Sequence, residues 1–224
     1  MQRLFSNDVT QAPCEALLLT PKARVIAPLV VVRRGAEDFL LLTEPGLGEV
    51  VRATLTRARF AAKVEIEPEA HTSVVVFGNG DGIPNHDYGE PAVEVLDGDV
   101  EPTISASELE RMRIQAGTPT WGKEIDDRVL PAEAGLTERA VSFTKGCYPG
   151  QEPIARLRYR GKANRGLRVL RLDGAAEGDE LRYGDKVVGR ITSAVDGVGL
   201  GYVRTEVPTD AELAAGSGSA RSLH

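Results

Sequence analysis

The longest apolar run of the chain is Val25-Ile26-Ala27-Pro28-Leu29-Val30-Val31-Val32, and its length and β-branched content predict a strand buried on both faces. Phe39-Leu40-Leu41-Leu42 predicts its neighbour, with Arg33-Arg34-Gly35 at the turn. The period then changes. Leu47, Val50, Val51, Leu55 and Ala58 recur at helical spacing, with arginines on the opposite side, so a helix is expected over Gly48 to Arg59. Lys63 to Ile66 and Ser73 to Phe77 are expected as short strands, and Gly78 to Gly89, broken by Pro84, as a loop. A second helix is expected from Ser107, which stands three residues before Glu110 as in a capping box, with Gly117 closing it. Loop-like sequence follows up to Phe143.

From Ile154 the pattern alternates. Ala155, Leu157 and Tyr159 interleave with Arg156, Arg158 and Arg160, which predicts a strand with a positive face. Further strands fit Leu167–Leu172, Glu180–Tyr183, Lys186–Val195 and Val198–Arg204, with Gly and Asp at the turns. Short strands at close spacing without helices between them predict a small closed or sandwiched β domain. The domain boundaries expected from this pattern are 1–152 for an α+β region, 153–208 for the β domain, and 209–224 for a disordered tail rich in Gly and Ser.

Composition narrows the functional classes. Lys plus Arg number 27 against 33 Asp plus Glu, a formal charge of −6, so any nucleic-acid binding would need a local basic patch; direct binding of that kind is not expected. Only two cysteines, Cys14 and Cys147, are present, too few for a disulfide framework. No apolar run is long enough to span a bilayer, and the start of the chain has no signal-peptide pattern; a cytoplasmic, monomeric protein that does not bind membranes is the expectation. His71, His86 and His224 are scattered and make no metal pattern. Asp126-Asp127 beside Arg128 fits surface charge.

The densest chemistry lies in Phe143-Thr144-Lys145-Gly146-Cys147-Tyr148-Pro149-Gly150-Gln151-Glu152. Gly146, Pro149 and Gly150 favour a turning loop that a ligand can approach closely. If Lys145 to Cys147 is extended, the two side chains point the same way, and the ammonium would favour the Cys147 thiolate. Gln151 and Glu152 add an amide and a carboxylate. Two readings stand: a site, or a small buried cysteine in an ordinary loop. Cys14 fits a core or incidental surface position. The stripe Arg156, Arg158, Arg160, Lys162 and Arg165 fits either a solvated face or an anion site.

These residues resemble the YgfZ family of the YgfZ/GcvT superfamily. Its hallmark, Lys-Gly-Cys-Tyr-x-Gly-Gln-Glu, is matched by Lys145 to Glu152 with Pro149 at the free position. Flanking matches include Arg113-Ile114, Ala116-Gly117, Trp121-Gly122, Leu130 to Leu136, Val141 to Thr144, and Ala155 to Leu157 through Arg160 to Arg165. Weaker likeness extends to Ser6-Asn7-Asp8-Val9-Thr10 and Gly201-Tyr202-Val203-Arg204. The resemblance implies an α+β, cloverleaf-like fold of ferredoxin-like subdomains with a small C-terminal β-barrel, around a central channel that binds tetrahydrofolate. It implies a role in supporting iron–sulfur enzymes, including those that thiolate tRNA, through transient contact with these clients or with assembly proteins. By position, Cys147 is the functional thiol, and Lys145, Gln151, Glu152, Arg156, Asn7 and Asp8 are expected around the folate. No metal ligands are expected, and a cluster usually takes four protein ligands, so this chain is not expected to hold one alone.

The departures from the related aminomethyltransferases bear on activity. Those enzymes carry paired aspartates where Ala27 and Pro28 stand here, and neither of these side chains moves a proton. Gly80-Asp81-Gly82-Ile83-Pro84 does not match their pterin-holding segment, while Gln115 replaces a frequent Glu and Arg158 a frequent His within the YgfZ pattern. Family members have one or two more strands ahead of the Ser-Asn-Asp segment. A non-enzymatic folate-binding accessory protein is the leading expectation; a folate-dependent aminomethyl transferase and a tRNA-binding module are the alternatives.

Overall fold

A computed structural model describes residues 2–60 and 62–223 of the chain. It divides into two compact units. The first comprises Met1–His71, Asp126–Ala132 and Leu136–Gly161; the second comprises Thr72–Ile125, Glu133–Gly135 and Lys162–His224.

The first unit is built on a three-stranded antiparallel sheet, β1 (Cys14–Leu19), β2 (Val25–Arg33) and β3 (Phe39–Thr43), with β2 central. In β2, Val25, Ala27, Leu29 and Val31 are buried while the residues between them are only partly covered. The strand therefore has one core face, not the two that its apolar run suggested, because a period of two sends alternate side chains to opposite faces. Pro28 has no N–H for the ladder, yet its carbonyl accepts a hydrogen bond from the Thr43 hydroxyl at 2.8 Å. Helix α1 (Gly48–Ala58) forms where expected and buries Val51 and Leu55; Val50 stays 45% exposed. Lys63 to Ile66 is not a strand. Among the described residues no strand pairs with this segment, and a strand needs such a partner.

Two short helices complete this unit. A single turn, α2 (Thr137–Ala140), packs against β1. Helix α3 (Gln151–Arg160) replaces the expected arginine strand. Its start explains the correction. Gly150 is left-handed at φ +83°, Glu152 and Pro153 occupy the first turn, and Arg158 and Arg160 the last, an arrangement that suits the helix dipole. Its covered positions, Ile154 and Leu157, are three apart, so the period-two alternation of arginines was coincidental to a helical period.

The second unit holds a small antiparallel sheet of β4 (Ser73–Phe77), β5 (Ile83–Asn85) and β6 (Ala92–Leu96), in the order β4-β6-β5. The expected loop from Gly78 to Gly89 thus contains a strand. Helix α4 (Ala106–Ala116) is capped by Ser105, whose hydroxyl accepts from the Glu108 N–H at 3.2 Å. The capping-box spacing is as expected but two residues earlier than Ser107 and Glu110. Gly117, at φ +73°, closes the helix as anticipated.

The remaining strands, β7 (Arg165–Asp173), β8 (Glu180–Tyr183), β9 (Lys186–Val195), β10 (Val198–Arg204), β11 (Glu212–Ala215) and β12 (Gly218–Ser222), close into a six-stranded barrel in the order β10-β7-β12-β11-β8-β9. Asp196 and Gly197 both take positive φ, the arrangement that a tight turn between β9 and β10 requires. Leu170, Leu181, Ile191, Val203, Leu213 and Ala220 fill the barrel. Two expectations are corrected here. The barrel begins at Arg165, since residues from 151 to 160 are helical, and the expected tail supplies β11 and β12. Its small residues serve strand closeness: a Cβ at Gly218 would lie 2.0 Å from the Asp173 carbonyl oxygen. The expectation for His224 lies outside the described residues.

Candidate functional site

The hallmark segment runs through the first unit as a loop that leads into α3, and it is fastened at three points. At its start, Ser142 donates its N–H to the carbonyl of Ser6 at 2.9 Å. Ser6 is fully buried; its hydroxyl donates to the Ala140 carbonyl at 2.6 Å and accepts from the Leu17 N–H at 2.8 Å. In the middle, the Lys145 ammonium donates to the carbonyls of Gln2, Phe5 and, at 3.0 Å, Asn7. At its end, Gly150 lies so close to the turn before β2 that a Cβ there would stand 2.8 Å from the Thr20 carbonyl oxygen. Only glycine fits that contact and its positive φ together.

Lys145 is therefore the anchor of the loop. An ammonium has three donors, and three carbonyls take them. Burial lowers its pKa, and Asp8 and Cys14 partly offset this. The expected pairing with Cys147 is corrected: residues 145 to 148 form no strand, and the lysine turns toward the N-terminal segment. Its charge bears on Asp8 and Cys14. Tyr148 is 7% exposed, its ring 5.3 Å from the Lys145 ammonium, and burial pushes its phenol up to about 12. Among the described residues the buried Tyr148 hydroxyl has no hydrogen-bond partner.

Cys147 itself is exposed, whereas Cys14 is half-buried with its thiol donating to the Asp8 carbonyl at 3.7 Å. Asn7 and Asp8 are committed to local structure. The Asn7 amide donates to the carbonyls of Glu15 at 2.7 Å and Arg139 at 3.2 Å. The Asp8 carboxylate accepts from the Thr10 hydroxyl at 2.6 Å, which chiefly holds its pKa below the usual range, and from the Gln2 amide at 2.7 Å. Gln151, Glu152 and Arg156 sit on α3 just beyond the loop, with Glu152 and Arg156 exposed. The first unit thus brings all seven expected residues onto one loop, the segment that holds it, and the helix it feeds. Three of them, Lys145, Asn7 and Asp8, spend their polar groups on holding that arrangement.

A second polar assembly, which sequence reasoning missed, lies in the second unit. Arg113 on α4 makes five hydrogen bonds: to Glu110 from Nε at 2.8 Å and Nη2 at 2.7 Å, to the Thr118 carbonyl at 2.5 Å, to Glu124 at 3.1 Å and to Ser193 at 2.9 Å. Glu124, whose side chain is wholly buried, also accepts from Ser193 at 2.6 Å and from the Thr120 N–H at 3.0 Å. The Tyr202 hydroxyl donates to the Glu124 carbonyl at 2.7 Å. Burial alone would lower the Arg113 pKa; the Glu110 hydrogen bond and the Glu124 charge raise it instead. The only available hint was the match at Arg113-Ile114.

Among the described residues no group of three or more His, Cys, Asp or Glu could hold a metal ion, and no helix is long and apolar enough to cross a membrane.

Comparison with known proteins bears on both units. Residues 164–222 match the family model for the C-terminal beta-barrel domain of CAF17. An uncharacterized protein of Haemophilus influenzae is 26% identical over 94% of this chain and 82% of its own length. The tRNA-modifying protein YgfZ of Klebsiella pneumoniae is 32% identical over 71% of this chain, and that of Edwardsiella ictaluri 44% identical over 32%. The chain is similar to YgfZ-type proteins. It aligns with 52% of the Klebsiella protein's length and 24% of the Edwardsiella protein's. The crystal structure of the glycine cleavage system aminomethyltransferase T from Bartonella henselae shares the fold, with a TM-score of 0.82 over 99% of this chain and 79% of that one, at 17% identity. In this chain, Ala27 is fully buried in β2 and Pro28 lies beside it. Neither offers a group for acid or base work. Gln115 is exposed on α4, and Arg158 is exposed on α3.

Proposed function

We propose that the protein is a tetrahydrofolate-binding accessory factor that supports iron–sulfur enzymes, including those that thiolate tRNA, and that it is not itself an aminomethyl transferase. The observation that carries this reading is the exposed Cys147 thiol on a loop fixed by Lys145 and Gly150. A fixed loop with one accessible soft nucleophile suits transient thiol chemistry with a partner. The YgfZ-type relatives, named as tRNA-modifying, and the aminomethyltransferase fold support the tRNA and folate parts of the reading. Ala27 and Pro28 support the absence of transferase chemistry.

The fit to a reduced folate rests on the groups that local structure leaves free. Glu152 and Gln151 offer a carboxylate and an amide for the polar edge of the pterin, and Arg156 offers a guanidinium for the glutamate carboxylates. Lys145, Asn7 and Asp8 act indirectly, by holding the loop. The test is calorimetric titration with tetrahydrofolate and 5-formyltetrahydrofolate, with Arg156→Ala beside the parent. Saturable binding that weakens in the variant supports the reading; no binding of either folate overturns it. Aminomethyl transfer from a lipoylated carrier, measured in parallel, is expected at the no-enzyme rate.

A further inference from the structure

We propose that the exposed face of α3 is a binding surface for single-stranded RNA. The proposal goes beyond folate binding and does not depend on it. It starts from the replacement of the expected strand by a helix. On a helix, Arg156, Tyr159 and Arg160 are spaced three and four apart and share one face. All three are exposed, Tyr159 to 71%. Among the described residues neither Arg156 nor Arg160 makes an ion pair, in a chain where acidic residues outnumber basic ones by 33 to 27. Glu152 stands four before Arg156 on the same face, but among the described residues the two make no ion pair.

The tyrosine is held in place. Its ring meets Phe143 edge-on at 6.5 Å between centroids, and the Arg158 guanidinium lies 3.9 Å over the same Phe143 ring. Arg158 is fixed in turn by Glu138 at 3.0 Å. A supported, largely uncovered ring between two unpaired guanidinium groups matches what a single strand presents: a flat base to stack and phosphates on either side. An acidic protein partner would use the arginines but gives no reason for the uncovered ring. The surface also borders the hallmark loop. Phe143 opens that loop, and its contact with Tyr159 places it at the C-terminal end of α3, whereas Gly150 caps the N-terminal end. The segment with Cys147 thus runs back along the helix.

The test is fluorescence anisotropy with three probes: a labelled RNA stem–loop, the same sequence closed into a full duplex, and a labelled heparin fragment. The stem–loop is expected to bind more tightly than the duplex. With two arginines facing phosphate, its log affinity should fall with log salt at a slope of about −1.4. Tyr159→Ala is expected to weaken stem–loop binding about ten-fold and to leave heparin binding unchanged. Arg160→Glu should weaken both. Arg156 is kept intact, so the result does not turn on the folate reading. Both substituted side chains are exposed, and matched thermal unfolding confirms that the variants fold. No stem–loop binding overturns the proposal. So does a Tyr159→Ala variant that binds the stem–loop like the parent, which would leave an indiscriminate polyanion or acidic-protein surface.

Discussion

Arg113 and the arginines of α3 are the same residue in opposite circumstances. Arg113 is buried, and each of its five donors has an acceptor. Arg156 and Arg160 are exposed and, among the described residues, unpaired. Burial explains the contrast. A charge taken out of water must be matched almost completely, so the network around Arg113 is closed, and the groups in it have nothing left for a ligand. A charge left in water needs no partner to be stable, so donors on α3 stay available. An arginine's neighbours, more than its presence, decide whether it marks a scaffold or a site.

The sharpest way to break this comparison is to remove one partner from each region. Glu124→Ala leaves Arg113 buried against a lost charge and leaves Ser193 and the Thr120 N–H short of an acceptor. It is expected to cost about 3–5 kcal/mol of unfolding free energy. Arg158→Ala breaks an ion pair with an exposed Glu138 and a stack on Phe143, and should cost no more than about 1 kcal/mol. Denaturant unfolding of both variants measures the difference. Equal costs would mean that the closed network contributes no more than surface pairing.

Acid sharpens the same contrast. The hydrogen bond from Arg113, helped by Lys123, holds the Glu110 carboxyl at about 2 instead of its ordinary 4.5. Because the folded value is the depressed one, its stabilisation is complete above 4.5 and is lost as pH falls toward 2. Glu110→Gln should therefore narrow the stability gap between neutral and acid pH. Glu69 is likewise held at about 2 by Arg34, but in the open, so added salt should erase its share first. A parent and Glu110→Gln variant with parallel stability-versus-pH curves would remove Glu110 from the network's energetics.

What the sequence made legible follows the range over which its signals act. Strands β8, β9 and β10 were readable to their ends because Gly184-Asp185 and Asp196-Gly197 punctuate them, and turn chemistry is local. The hallmark loop was readable as a motif, and its mode of attachment was not. Lys145 reaches carbonyls about 140 residues away in sequence, and no local rule foretells that partner. The same holds for Arg113 and Ser193, 80 residues apart. β11 and β12 were hidden by composition. Gly216-Ser217-Gly218-Ser219 looks like a flexible linker, yet Leu213, Ala215 and Ala220 are buried and the small residues permit close strand approach. α3 was misread because Arg156, Arg158 and Arg160 imitate a strand, while the covered pair Ile154 and Leu157 carries the true period.

The smallest expected effect separates the two cysteines. The Cys147 side chain is exposed on a loop whose order comes from Lys145, Ser142 and Gly150, none of which leans on the thiol. Cys147→Ser should therefore change unfolding free energy by less than about 0.5 kcal/mol, while rescue of iron–sulfur enzyme activity in cells lacking the protein falls. Cys14 differs in both respects. It is half-buried, and burial together with Asp8 raises its thiol pKa, which leaves less thiolate at neutral pH. Alkylation by iodoacetamide, followed by peptide mass spectrometry, should modify Cys147 well before Cys14. Lys145 is not the cause of that difference, since its ammonium turns toward the N-terminal segment and its charge favours the Cys14 thiolate; access and burial are. Were Cys14 to react as fast, the loop would offer its thiol no advantage over a half-buried one. Were Cys147→Ser to unfold easily yet rescue fully, the thiol would belong to the scaffold, on the same side of the comparison as Arg113.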